Sequence, residues 1–118
     1  MDKLIAWVEI PAKDMEKTVN FYNQVLGLNL EIQDFGSEKM ACFPSGEGAI
    51  SQAPGFEPGS VGVLVSLDAG KDLDGALQRV RDAGGEILTE KTAIEAEGRG
   101  YFAIFKDLEG NKLGLYGD

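Results

Sequence analysis

The chain has 118 residues, the length of one domain, and its 43% hydrophobic and 26% charged residues are a globular balance. Twenty acidic against 11 basic side chains give a net charge of −9 without a basic cluster, which opposes binding to nucleic acid or anionic lipid. With one cysteine and no histidine, the chain lacks the means for an intrachain disulfide, a Ser-His-Asp triad or a His-ligated zinc site.

Leu4 to Ile10 alternates as a first strand. Asp14 then stands as a helix N-cap before Met15, Val19, Tyr22 and Leu26, and Gly27 stops the helix. Strands are expected near Leu28 to Phe35, Met40 to Phe43 and Ala49 to Gln52, separated by Gly-containing turns. Cys42, between Ala41 and Phe43, reads as a small buried apolar residue.

Residues 54–59, rich in Pro and Gly, read as a surface linker between two modules, 1–53 and 60–118, of a single domain. The second module repeats the order of the first. A strand over Val61 to Leu67 leads to Asp72 and a helix carrying Leu73, Ala76, Leu77 and Val80, which ends at Gly84-Gly85. Strands follow at Glu86 to Thr89, Tyr101 to Lys106 and Lys112 to Tyr116, the last two joined as a hairpin through residues 107–111. The apolar runs are far shorter than a membrane span, and Met1-Asp2-Lys3 shows no signal-peptide pattern, so a soluble cytoplasmic protein is expected.

The residues Val8-Glu9-Ile10-Pro11, Asp14 and Phe21-Tyr22, then Asp72 to Leu77, Ala83-Gly84-Gly85, Asp107 and Gly110-Asn111, stand in the order found in the vicinal oxygen chelate superfamily. The chain resembles that superfamily, which includes type I glyoxalases, bleomycin resistance proteins and extradiol dioxygenases. The resemblance implies an α+β fold of two tandem βαβββ modules whose mixed sheets form a U-shaped cleft, and it implies a homodimer.

Many members hold a divalent metal in the cleft. The resemblance places their ligand positions at Trp7, at Val63 or Val65, at Gly114, and near Ala49 or Ile50. None of these side chains binds a metal, so no divalent metal and no other cofactor is expected.

If Trp7 faces the cleft, strand alternation puts Glu9 there too. A carboxylate beside an indole suits a general base or a recognition group for a cationic or hydrogen-bonding ligand, and equally an ordinary polar residue on a wet face. Tyr116, on the face of Gly114, borders the same cleft, and Gly98-Arg99-Gly100-Tyr101 reads as a loop able to cover it. The ligand-binding candidates are therefore Trp7, Glu9, Val63, Val65, Arg99, Tyr101, Gly114 and Tyr116, with Glu9 the one catalytic candidate.

Three functions stay open: binding of a small organic molecule without metal, a metal-independent lyase or isomerase using Glu9, and a protein-interaction module with a vestigial cleft. No substrate is named by the residues.

Overall fold

The computed structural model describes residues 5–95, 98 and 100–118. The elements run β1 (Val8–Pro11), α1 (Met15–Leu26), β2 (Gln33–Asp34), β3 (Lys39–Cys42), β4 (Gly48–Gln52), β5 (Ser66–Gly70), α2 (Leu73–Asp82), β6 (Glu86–Ala93), β7 (Tyr101–Lys106) and β8 (Lys112–Gly117). This is βαβββ written twice.

Both helices start on a carboxylate cap. Asp14 accepts from the Lys17 amide at 3.1 Å, and Asp72 accepts from the Gly75 amide at 3.0 Å. A Cβ on Gly75 would strike the Asp72 carboxylate, so glycine is what lets that cap close. Gly27, at φ 65°, terminates α1 in the left-handed region.

The strands form two four-stranded sheets, ordered β1-β4-β3-β2 and β5-β8-β7-β6. The β1–β4 and β5–β8 pairs are parallel and the others antiparallel. Along each sheet alternate residues face the helices: Ile10, Ile50 and Ala41 in the first, Leu67, Leu115 and Ala103 in the second. These join Val19, Phe21, Tyr22 and Val25 of α1 and Leu73, Leu77 and Val80 of α2 in one hydrophobic cluster. Each fully buried Leu, Ile or Phe there contributes about 1.5–3 kcal/mol.

The helices lie between the sheets, and the modules interlock. Phe21 packs on Phe105 of β7 at 6.2 Å between ring centroids, and Arg79 of α2 donates from Nε to the Val25 carbonyl of α1 at 3.0 Å. The β7–β8 turn reaches back to the first module: Asn111 Nδ2 donates to the Pro11 carbonyl at 2.7 Å. Among the described residues, no helix is long and apolar enough to cross a membrane.

Several strand bounds differ from the sequence expectation. β1 begins at Val8 rather than Leu4, β2 is only Gln33–Asp34, and β6 extends to Ala93. The largest difference is β5, which starts at Ser66 rather than Val61. Val61 and Val63 are 98% and 90% exposed, because β8, the partner of β5, is in register only from Ser66 opposite Gly114. Apolar alternation marks a segment able to pair; pairing needs an edge within reach.

Candidate functional site

Each sheet turns one face to the helices and leaves the other open. On the first sheet the open face carries Glu9 and Pro11 of β1, Ala49 and Ser51 of β4, and Met40 and Cys42 of β3. Cys42 is exposed, not buried as its apolar neighbours suggest, because Ala41 takes the helix-facing position in β3 and puts Cys42 on the opposite side. Glu9 sits across from Ala49, and its Oε1 accepts from the Ser51 hydroxyl at 2.7 Å. Ser51 is itself buried, so it fixes one carboxylate oxygen while the rest of Glu9 stays exposed.

The second sheet has the matching face. Ser66 and Asp68 of β5, Gly114 and Tyr116 of β8, and Phe102 and Ile104 of β7 stand away from the core. Since Ile10 opposite Ile50 corresponds to Leu67 opposite Leu115, Glu9 corresponds to Ser66 and Ala49 to Gly114. Trp7 then corresponds to Leu64, not to Val63 or Val65. The cause is the irregularity in β5 between Asp68 and Gly70, which inserts one residue between strand and helix cap and shifts the alternation by one.

The sequence candidates therefore separate. Glu9, Val63 and Val65 line one recess of about 180 Å³ between the modules, together with Val61, Glu57 and Lys112. Glu57 is neutralised there by Lys13 at 2.9 Å. Trp7, 42% exposed, precedes β1, while Gly114 and Tyr116 lie on the open face of the second sheet. Tyr101 shares the alternation of Ala103 and Phe105, on the opposite face, and Lys91 Nζ sits 4.6 Å from its ring centroid. It does not join the site. Arg99 lies outside the described residues.

Among the described residues, no group of three or more His, Cys, Asp or Glu side chains is placed to hold a metal. The positions that match one another between the two modules, Trp7 with Leu64 and Ala49 with Gly114, supply no metal-binding atom on their side chains. At Gly114 the space a side chain would need is taken by Ser66 Oγ. These residues do not fit the divalent ion that the fold family often carries.

Sequence reasoning missed a polar cluster behind the site. Tyr22 donates to Asp107 at 2.7 Å, and Asp107 also accepts from the Glu109 and Asn111 amides and from Asn111 Nδ2. Burial, then the adjacent Asp107 carboxylate, push the Tyr22 phenol well above its ordinary value. The signal available was the five-residue turn opening on Asp107 and closing on Asn111.

The Glyoxalase/Bleomycin resistance protein/Dioxygenase superfamily model matches residues 4–115. The chain belongs to this superfamily. Solved structures agree in fold. A glyoxalase/bleomycin resistance protein from Albidiferax ferrireducens has TM-score 0.72 at 18% identity, over 98% of this chain and 99% of that one. A family enzyme from Burkholderia phytofirmans has TM-score 0.71 at 16% identity, covering 96% and 97%. A genomically encoded fosfomycin resistance protein from Listeria monocytogenes has TM-score 0.71 at 18% identity, covering 100% and 95%. A search of curated proteins finds no match.

Proposed function

We propose that this superfamily member binds a small organic molecule against its open sheet faces without a divalent metal. The observation that carries the reading is the set Trp7, Ala49, Leu64 and Gly114: an indole, two small positions and an apolar side chain where metal-dependent relatives need donors. Glu9, oriented by Ser51, supplies a directed polar contact at the edge of a recess lined by valines as well as by Glu57 and Lys112. The structural neighbours include a glyoxalase/bleomycin resistance protein and a fosfomycin resistance protein, and resistance is a role that binding alone can serve.

The recess that Glu9 lines, about 180 Å³, falls short of the roughly 300–1,000 Å³ usual for drug-sized ligands, and a larger hollow of about 470 Å³ between Gly27 and Pro44 does not include Glu9. The reading therefore includes a homodimer, in which the open face of one module meets the open face of the other module of a second copy. The exposed Trp7, Val61, Val63 and Leu64 beside the edge strands β1 and β5 suit that role.

A fragment screen followed by amide chemical shifts tests this. Binders are expected to move Glu9, Ser51, Gly114 and Tyr116 together. Fragments that bind only elsewhere, or none at all, contradict it.

The Ser51–Glu9 hydrogen bond also favours a second reading, a metal-independent lyase or isomerase in which Glu9 moves the proton. Under it, Glu9→Gln abolishes turnover while retaining ligand; under simple binding, Glu9→Gln changes affinity alone.

A further inference from the structure

Two hydrogen bonds bracket the segment that leads from the linker into β5. The Gly59 amide donates to Oδ1 of the buried Asn111 at 3.0 Å, and the Val65 carbonyl accepts from the Gly114 amide at 2.8 Å. Between these anchors Ser60, Val61, Gly62, Val63 and Leu64 make no backbone hydrogen bond among the described residues, and all five are exposed. A hollow of about 50 Å³ lies between them and Lys112, so the segment is a strap standing off the surface. Few buried contacts and open backbone groups mark a stretch of low local stability, able to move about its fixed ends.

Val61 and Val63 lie on this strap, 98% and 90% exposed, yet with Val65 they line the recess that holds Glu9. Gly62 between them has φ 116°, and a Cβ there would meet nothing within 4 Å. Conformation and not crowding requires glycine at that position, which makes it the point about which the strap turns. The floor of the recess is already built from the buried Ile10 and Leu113. Its charges balance, because Lys13 pairs with Glu57 and leaves one carboxylate, Glu9, and one ammonium, Lys112. Ser51 occupies Oε1 of Glu9 and leaves Oε2 to accept.

We propose that residues 60–64 are a lid over the recess, and that it closes on a small uncharged aliphatic molecule bearing a hydrogen-bond donor, such as an amide. The donor meets Glu9, the alkyl body lies on Ile10 and Leu113, and Val61 and Val63 turn down onto it. Closure takes out of water the two most exposed large apolar side chains among the described residues. The recess, about 180 Å³, has room for such a molecule, and an ion of either sign would meet one like charge for each opposite one. The lid rests on the reading of Glu9 as part of a ligand site and adds to it the ligand's size and charge class.

The test is titration of the whole chain with isobutyramide, and with isobutyrate and isobutylamine as ions of similar shape, following the amide shifts of Glu9 and Val65 and hydrogen exchange at amides 60–64. Isobutyramide is expected to bind about tenfold more tightly than either ion. At saturation it should slow exchange along the strap by about tenfold. Val61→Ser combined with Val63→Ser should weaken isobutyramide by about tenfold while Tm holds, since both side chains stand in water before closure. Equal or tighter binding of either ion overturns the ligand class. Isobutyramide bound at Glu9 with strap exchange unchanged, and bound equally by the double serine variant, overturns the lid and leaves the ligand site standing. Isobutyramide that never reaches Glu9 overturns lid and ligand class together. If screened fragments still move Glu9, Ser51, Gly114 and Tyr116, the reading of the open faces survives that result; if none does, it falls as well.

Discussion

The phenol of Tyr22 in α1 donates a 2.7 Å hydrogen bond to Asp107 at the end of β7, 85 positions along the chain, in a fully buried setting. It ties the two modules together behind the open faces. Tyr22→Phe leaves that Asp107 oxygen with Asn111 Nδ2 as its remaining partner and is expected to cost about 1–3 kcal/mol in denaturant unfolding. A loss near zero contradicts the role assigned to the bond.

The same tyrosine sets an alkaline limit. Its folded-state pKa is raised, so the unfolded state releases the proton first, and stability falls as pH climbs above about 10. The stabilisation is complete below that pH. Unfolding free energies measured from pH 8 to 11 should decline in the wild type, with the Tyr22 part of the slope absent in Tyr22→Phe.

Glu109 caps the first helix from the second module. Its Oε2 accepts from the Lys13 amide at 2.6 Å, the Asp14 amide at 2.7 Å and the Thr18 hydroxyl at 2.9 Å. Glu109→Ala should lower stability by about 1–3 kcal/mol, with Glu109→Gln intermediate because an amide oxygen still accepts but carries no charge. Equal stability of all three proteins in thermal melts contradicts the cap.

Gly114 is held small by Ser66 across the parallel pair. A Cβ there collides with Ser66 Oγ, so Gly114→Ala is expected to destabilise by about 1–3 kcal/mol. Ser66→Gly should recover part of that loss, and a double-mutant cycle reads the coupling directly. Strict additivity of the two changes contradicts the contact.

Cys42 lies on the open face with Glu9, so its thiol should react with a soluble disulfide reagent without denaturant, and a saturating cleft ligand should slow it. Reaction only after unfolding contradicts the placement.

What could be read from the residues alone was local. The Asp14 and Asp72 caps, Gly27 and the turn at Asp107 act within a few residues, and α1, α2 and the β7–β8 hairpin lie where those signals put them. Non-local facts stayed hidden. Nothing in Val61 to Leu67 tells which residues meet β8; the stretch Ala69-Gly70-Lys71 marks an insertion before the helix cap, but the face it gives to every residue before it is set only by pairing with β8. Cys42 and Tyr101 were misplaced for the same reason, since only the strand partners determine which alternate face is covered.

The most direct test of the central claim is metal content. Tag-free protein, purified without chelator and supplied separately with Ni²⁺, Zn²⁺, Mn²⁺ and Fe²⁺ before desalting, is assayed by elemental analysis. The account predicts that no metal is retained in proportion to protein, while organic ligands still bind the open faces. One ion held per chain, lost on substitution at the Glu9 face, would contradict it and return metal-dependent chemistry to this fold.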